Sequence, residues 1–288
     1  MSKRTPINSD LHNQILDNVR TALIEDIGSG DLTASLVPAT QRATATLISR
    51  ERAVICGTPW FDAVFAELDT DVSIDWKVSE GDGISPNTVV CELAGPARTL
   101  LSGERTAMNF LQTLSGTATI AQQYAEAVSG TQCVILDTRK TLPGLRQAQK
   151  YAVRTGGAEN HRTGLYDGIL IKENHIVACG GIQNAVSAAL ESSNGVLVEV
   201  EVENLDEARS AIAAGAQRLL LDNFSLEDMR AAVGLRDELN GKVGLEASGN
   251  INLKNVHDVA LTGVDFISVG LLTKDVRAID LSMRFEME

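Results

Sequence analysis

The chain has 288 residues, of which 44% are hydrophobic and 22% charged, a composition typical of a globular protein with a sizeable core. Its 25 Lys and Arg residues against 38 Asp and Glu residues give a net charge of −13, which argues against nucleic acid or an anionic membrane as a partner. The amino terminus lacks the apolar core of a signal peptide, and no later stretch is apolar enough to span a bilayer, so we expect a cytoplasmic protein.

The first hundred or so residues predict an α+β unit. Apolar residues at helical spacing predict a helix from Asp10 to Asp26, capped by Ser9 or Asp10. Two stretches rich in β-formers follow, with the helical segment "TPWFDAVFAEL" between them.

A long helical pattern, "RTLLSGERTAMNFLQTLSGTATIAQQYAEAV", comes next and is predicted to be interrupted near Ser115 and Gly116. We place a domain boundary there. The predicted organisation is a sandwich domain over residues 1–115 and a barrel domain over 116–274. Residues 275–288 are predicted to pack back on the first domain as a strand or helix.

The second half alternates apolar strands with amphipathic helices. Such runs indicate a parallel sheet covered on both faces, and the short regular spacing favours a closed or nearly closed β/α barrel. The predicted strands are Val134 to Leu136, Gly168 to Ile171, Leu197 to Val202, Leu219 to Leu221, Val243 to Leu245 and Phe266 to Val269. Neither a GxGxxG nor a GxxxxGK[ST] motif is present, which weakens a dinucleotide-binding or nucleotide-hydrolase interpretation.

Charged residues follow most of these strands, and the carboxyl ends of all barrel strands meet at one face. A single charge after a strand usually marks only its exit into solvent. Five in succession, of complementary sign, predict an anion site. The cations are Arg139, Lys140, Arg162 and Lys172, with His161 beside Arg162, and they imply a multiply anionic substrate.

Glu201 and Asp222 supply carboxylates at the ends of successive strands. One or two carboxylates together with substrate phosphates are the usual ligands of Mg²⁺, so we expect Mg²⁺ here, directly or through water. The same carboxylates could instead pair with the neighbouring cations or accept sugar hydroxyls. The small residues of "EASGN" and "SVGLLT" favour phosphate binding at the last two strands.

These motifs together resemble the bacterial quinolinate phosphoribosyltransferase family, also called carboxylating nicotinate-nucleotide pyrophosphorylase. The resemblance is carried by "GERTAMNFLQTLSGTAT", "DTRKTLPGLR", "GGAENHRTGLYDGILIKENH", "EVEVEN", "LLLDN" and "EASGNI". It implies an α/β sandwich domain before an incomplete α/β barrel, in a homodimer whose sandwich domains cap the partner's barrel. It also implies the reaction of quinolinate with phosphoribosyl pyrophosphate, requiring Mg²⁺ and giving nicotinate mononucleotide, pyrophosphate and CO₂ in NAD biosynthesis.

The resemblance also implies roles for individual residues. Arg105 would enter the partner's site, and Lys140 would lie near the pyrophosphate and the reacting centre. Glu201 and Asp222 would serve the ribose hydroxyls and Mg²⁺, and with Lys140 form the catalytic set. The pyridine dicarboxylate would be held by Arg139, His161, Arg162 and Lys172, and the other substrate-binding positions are Thr138, Ser248, Gly249, Asn250, Ser268, Val269 and Gly270.

Two positions depart from the family pattern: Asn250 replaces a usual Gly, and Lys274 stands where His is common. Asn tolerates left-handed backbone and Lys can bind phosphate, so we expect altered affinity and the same reaction. Asp137 is assigned the modest role of orienting Arg139 or Lys140.

Three alternatives remain open. One is a related nicotinate phosphoribosyltransferase without decarboxylation, and another is a Schiff-base aldolase with Lys172 or Lys140 as nucleophile. The third is a binding protein without catalysis.

Overall fold

The computed structural model describes residues 7–239 and 241–288, which form twelve strands and ten α-helices. The strands are β1 (Arg42–Ser49), β2 (Ala53–Val54), β3 (Ser73–Trp76), β4 (Gly83–Ile84), β5 (Val89–Pro96), β6 (Val134–Leu136), β7 (Ile169–Ile171), β8 (Val198–Val202), β9 (Arg218–Asp222), β10 (Gly244–Ser248), β11 (Phe266–Ser268) and β12 (Leu281–Met287). The helices are α1 (Ser9–Ile27), α2 (Thr58–Leu68), α3 (Ala97–Ala127), α4 (Arg146–Thr155), α5 (Glu173–Cys179), α6 (Ile182–Ser192), α7 (Leu205–Ala214), α8 (Leu226–Glu238), α9 (Val256–Ala260) and α10 (Leu271–Lys274).

The chain divides into two compact units. The first contains the residues up to 122 together with 141–157 and 275–288, and the second contains 123–140 and 158–274. These units overlap the predicted domains without sharing their bounds, and the domain boundary at residues 115 and 116 stays a prediction.

The first unit is built on an antiparallel sheet with strand order β12-β1-β5-β3. In β1, buried residues alternate with more exposed ones, as expected for a strand with one face on the core. Leu47 of β1 and Leu93 of β5 are buried together with Trp60 and Phe61 of α2. Because β12 pairs with β1 over seven residues, the last strand of the chain completes this sheet.

Two sequence expectations about helices are wrong. The N-cap of α1 is Asn8, whose Oδ1 accepts the Leu11 N–H at 2.9 Å, and neither Ser9 nor Asp10 has this role. Helix α3 continues without a break through Ser115 and Gly116. Ser115 Oγ accepts the Cys56 N–H at 2.9 Å, and a Cβ on Gly116 would lie 2.2 Å from the Arg277 carbonyl oxygen. The small residues therefore admit neighbouring backbone and do not end the helix.

The second unit contains the predicted parallel sheet, with strand order β6-β11-β10-β9-β8-β7. All six strands predicted from apolar runs are present: β6 has the predicted bounds, and the bounds of the other five are shifted by one to three residues. Among the described residues β6 and β7 do not pair, and a single parallel bridge joins Leu136 to Glu159 in that gap. The predicted fold class, an incomplete α/β barrel preceded by an α+β sandwich domain, is confirmed.

Among residues 7–239 and 241–288, no helix combines the length and apolar character that crossing a membrane would require.

Candidate active site

The parallel register brings the carboxyl ends of the six barrel strands to one edge of the sheet. Ser248 of β10 lies opposite Asp222 of β9, and Ser268 of β11 lies opposite Leu136 of β6. Lys172 follows the last residue of β7, and Glu201 lies near the end of β8. The predicted convergence of strand-end residues therefore holds within the second unit.

Lys172 and Glu201 form an ion pair across β7 and β8, with Nζ 2.5 Å from Oε2. The Lys172 side chain is 49% exposed and the Glu201 side chain 19%, so the ammonium faces solvent while the carboxylate is largely enclosed. An exposed pair of this kind adds little stability. Its main consequence is positional, because Glu201 limits where the Lys172 ammonium can lie.

Arg139 and Arg162 form the second group of cations. Burial lowers the pKa of Arg162, and repulsion by the Arg139 charge lowers it further. Arg162 Nη1 donates to the Gly168 carbonyl at 3.1 Å, and this hydrogen bond fixes one nitrogen of the guanidinium group. Two partly buried cations on segments joined by the Asp137 carboxylate favour a bound anion.

Asp137, whose role the sequence left least explained, is fully buried after β6. Its carboxylate accepts hydrogen bonds from Asn160 Nδ2 at 2.7 Å and from the His161 N–H at 2.8 Å. Asp137 therefore fixes the segment that carries Arg162. A direct role in orienting Arg139 or Lys140 stays a prediction.

His161 makes contacts that the sequence did not predict. Its Nε2 lies 2.8 Å from Oε2 of Glu199 and 3.5 Å from Oε2 of Glu246, and its Nδ1 accepts the Arg162 N–H at 2.7 Å. Both ring nitrogens of His161 therefore contact protein groups in this structure. Direct binding of substrate by the His161 ring stays a prediction.

Glu199 and Glu246 were not among the predicted site residues. Glu199 shares a strand face with Glu201 by alternation, and Glu246 interrupts an apolar run, and both signals are present in the sequence. The alternation predicts an inward side chain for Glu199, but the complete burial of Glu199 and Glu246 could not be predicted, because glutamate is rarely fully buried.

Asp222 ends β9, beside the point where the segments that follow β9 and β10 are hydrogen-bonded to each other. Asn223 Nδ2 donates to Asp222 Oδ2 at 2.9 Å, and Asn250 Nδ2 donates to Asn223 Oδ1 at 3.2 Å. Gly249 has φ +100°, and a Cβ there would lie 2.2 Å from Asn223 Oδ1. Asn250 has φ +52°, so the Asn that replaces the family's Gly adopts the left-handed conformation expected of it.

Lys140 and Thr138 lie against the loop after β11. A Cβ on Gly270 would lie 3.2 Å from Lys140 Cδ and 3.7 Å from Thr138 Oγ1. Thr273 Oγ1 donates to the Lys140 carbonyl at 2.7 Å, and this partly buried hydrogen bond joins the two segments. Any residue larger than glycine at position 270 would therefore crowd the Lys140 side chain.

Three predicted site residues, Ser268, Val269 and Arg105, differ from the others in burial or in the unit to which they belong. Ser268 and Val269 are buried, so a ligand would meet the backbone of these residues and not their side chains. Arg105 is exposed on α3 and belongs to the first unit, whereas the other predicted site residues belong to the second.

The oxygen donors of Glu201 and Asp222 fit a hard cation such as Mg²⁺. In the described part of the chain, the three-residue group close enough to share a metal ion is His161, Glu199 and Glu246, and Glu201 and Asp222 do not belong to it. Two carboxylates, with water and substrate phosphates supplying the other ligands, are what Mg²⁺ usually uses.

Comparisons with known proteins agree along nearly the whole chain. The model of the quinolinate phosphoribosyl transferase N-terminal domain matches residues 31–115, and the model of the C-terminal domain matches residues 117–284. A probable carboxylating nicotinate-nucleotide pyrophosphorylase of Bacillus subtilis is 40% identical over 94% of this chain and 93% of its own. The solved nicotinate-nucleotide pyrophosphorylase of Francisella tularensis is 45% identical, with a TM-score of 0.90 over 99% of both chains.

Proposed function

The chain belongs to the quinolinate phosphoribosyltransferase family, and from this premise we propose how its own residues carry out the family's reaction. The enzyme transfers the phosphoribosyl group of phosphoribosyl pyrophosphate to quinolinate and releases CO₂. The products are nicotinate mononucleotide and pyrophosphate, and the reaction is a step in NAD biosynthesis.

The observation that best supports the substrate assignment is the set of three cations, Arg139, Arg162 and Lys172, in the second unit, where the Arg139 charge lowers the pKa of Arg162. Quinolinate has two adjacent carboxylates, and a planar guanidinium binds a carboxylate through two parallel hydrogen bonds. The two arginines therefore take the carboxylates, and the Lys172 ammonium, held by Glu201 at 2.5 Å, adds a third positive charge at the ring. A nicotinate site would need fewer cations.

Lys140 acts on the phosphate side of the reaction. Lys140 is exposed and its side chain passes Gly270, and we assign its ammonium to neutralise the charge that develops on departing pyrophosphate. The nucleophile is the unprotonated ring nitrogen of quinolinate, so the reaction needs no general base. Glu201 and Asp222 accept hydrogen bonds from the ribose hydroxyls and orient the sugar.

The 5′-phosphate binds to the backbone of the last two strand ends. Gly249 and Gly270 let a phosphate approach their N–H groups, and Ser248 and Asn250 add side-chain donors. Ser268 and Val269 contribute backbone because their side chains are buried. Lys274 is exposed and can add a charge to the same anion.

Mg²⁺ is proposed as the cofactor, held by Glu201 and Asp222 directly or through water. When bound, it neutralises the charge of the pyrophosphate group.

A homodimer is proposed as the active form, with Arg105 contributed to the partner's site. Its exposed position on α3 leaves the guanidinium available for that role. A cytoplasmic location, without nucleic acid or membrane as a partner, also stays a proposal.

The direct test uses quinolinate labelled at the carboxyl group next to the ring nitrogen. With phosphoribosyl pyrophosphate and Mg²⁺, we expect labelled CO₂ and nicotinate mononucleotide in equal amounts, and neither from an Arg162→Ala variant. Turnover of nicotinate without release of label would replace this proposal by the nicotinate phosphoribosyltransferase alternative. Borohydride trapping of a carbonyl substrate on Lys172 or Lys140 would favour the aldolase alternative.

A further inference from the structure

Lys172, the cation assigned to the quinolinate ring, leaves the sheet at an edge strand. Strand β7 has three residues and stands at one end of the strand order, so among the described strands it pairs with β8 alone. The paired positions end at Ile171 and Val200, which puts Lys172 beside Glu201 in the same register. The backbone of Lys172 therefore lies beyond the ladder, where the sheet no longer fixes it.

Helix α5 begins directly after Lys172 and is weakly packed. None of its seven residues, all of which the structure describes, is buried. A helix this short is also unstable on propensity alone, because the cost of its first turn is recovered over few residues. The position of α5 relative to β7 therefore depends more on the hydrogen bonds of its first turn than on a packed face.

His175 closes that first turn. Its Nδ1 accepts the Lys172 N–H at 3.0 Å, while the His175 N–H donates to the Lys172 carbonyl at 2.8 Å. Lys172 is the N-cap of α5, with φ −117° and ψ 168°. An N-cap side chain usually accepts a first-turn N–H, but an ammonium has no lone pair with which to do so. The side chain at the third helical position reaches back instead, as Glu or Gln does in a capping box.

This acceptor adds no charge of its own. An Nδ1 that accepts a hydrogen bond carries a lone pair, whereas both ring nitrogens of an imidazolium are donors. His175 therefore holds the Lys172 backbone without adding a second negative charge to that of Glu201, whose carboxylate lies 2.5 Å from Nζ. The half-exposed Lys172 side chain is thus held both at its backbone and at its ammonium.

We propose that His175 is a positioning residue for Lys172: its Nδ1 fixes the backbone from which the Lys172 ammonium reaches quinolinate. The inference rests on the proposed function, because it takes Lys172 as a quinolinate-binding cation. His175 acts through Lys172 and is assigned no contact with substrate. Loss of the acceptor frees the turn between β7 and α5. A long side chain on a freed backbone binds an anion less tightly, because binding then costs more conformational entropy.

The kinetic test uses two replacements of His175. Asn places Oδ1 at the same number of bonds from the backbone as Nδ1, whereas Leu has no acceptor. His175→Leu should raise the KM for quinolinate about three- to tenfold, with little change in kcat or in the KM for phosphoribosyl pyrophosphate. His175→Asn should stay within about twofold of the wild type. Leu is a better helix former than His, so helix propensity cannot account for the loss.

His12→Leu is the matched control, because it removes an exposed histidine of α1 in the first unit, and it should follow the wild type. Calorimetric binding of quinolinate adds a test of coupling. In a Lys172→Met background, His175→Leu should cause no further loss of affinity, since it acts through the ammonium that is gone. An equal further loss would overturn the inference. So would wild-type kinetics of His175→Leu, or a His175→Asn variant as impaired as His175→Leu.

Hydrogen exchange of the Lys172 amide, followed by NMR, needs neither substrate nor turnover. In a chain labelled with ¹⁵N-lysine, the Lys172→Met spectrum identifies the signal by its loss. The amide should exchange more slowly in the wild type and in His175→Asn than in His175→Leu. Failure of labelled CO₂ release with this pattern intact would count against the proposed function and leave the His175 arrangement standing. Normal release with equal exchange in all three chains would overturn the inference and leave the proposed function standing.

Discussion

Replacing Gly116 of α3 by alanine should destabilise the protein, although alanine is the better helix former. The added Cβ would lie 2.2 Å from the Arg277 carbonyl oxygen, and ordinary contact begins at 3.4 Å, so the atoms must separate by 3.4 − 2.2 = 1.2 Å. The Arg277 segment is held by an ion pair with Glu51 and by the Ile279 N–H, which donates to the Gln112 carbonyl of α3 itself. The backbone therefore cannot retreat without loss of these contacts.

The magnitude follows from two opposing effects. Overpacking of a well-packed site costs about 1–3 kcal/mol, and a shift of this size against backbone favours the upper half of that range. The change from Gly to Ala in a helix returns about 0.5–1 kcal/mol. We expect a net loss of about 2 kcal/mol in the free energy of unfolding. Gly234 of α8 is the matched control, because a Cβ there meets nothing within 4 Å.

The assay is urea unfolding of both variants and the wild type, followed by circular dichroism at one protein concentration. Gly116→Ala should unfold at lower urea than the wild type, and Gly234→Ala at slightly higher urea, with similar slopes. If both variants shift in the same direction, or if Gly116→Ala equals the wild type, the reasoning that Gly116 is required by close packing is refuted.

Three further predictions concern the site. Arg105→Ala and Lys172→Ala should each be inactive, and refolding them together should restore about a quarter of wild-type activity, since half of the dimers would carry one intact site; no recovery would contradict a shared site. Arg162→Lys should raise the KM for quinolinate about ten- to hundredfold at unchanged unfolding midpoint, because Lys lacks the bidentate fork; an unchanged KM would count against that contact. Burial and repulsion by Glu199 raise the pKa of Glu246 from 4.5 to about 7, so the folded protein keeps this proton after the unfolded chain has lost it. Its stabilisation is complete below pH 4.5 and lost as pH rises through 7, by up to about 3 kcal/mol, and urea titrations should show that Glu246→Gln removes this loss.

The barrel strands could be predicted from the sequence because both faces of a parallel sheet are buried, which leaves continuous apolar runs. Their ends were less predictable. Strand β10 continues to Ser248, three residues beyond the apolar run that ends at Leu245, because backbone pairing with β9 persists where the side chains turn polar towards the site. The interruption expected in α3 was wrong because a small residue permits close packing as well as a break.

The strand-end charges were predictable because a barrel topology brings them together whatever their separation in sequence. The group formed by His161, Glu199 and Glu246 was not. Its existence depends on which of several alternating glutamates is enclosed, and on the position of the His161 ring between Glu199 and Glu246. Neither property leaves a pattern in a single sequence.

The central claim is that the cations at the barrel's strand ends bind the two carboxylates of quinolinate. A crystal structure with quinolinate bound tests it most directly. The carboxylates should lie within hydrogen-bond distance of the Arg139 and Arg162 guanidinium groups, with Lys172 beside the ring. Quinolinate bound elsewhere, or bound here with its carboxylates turned away from both arginines, would contradict the account.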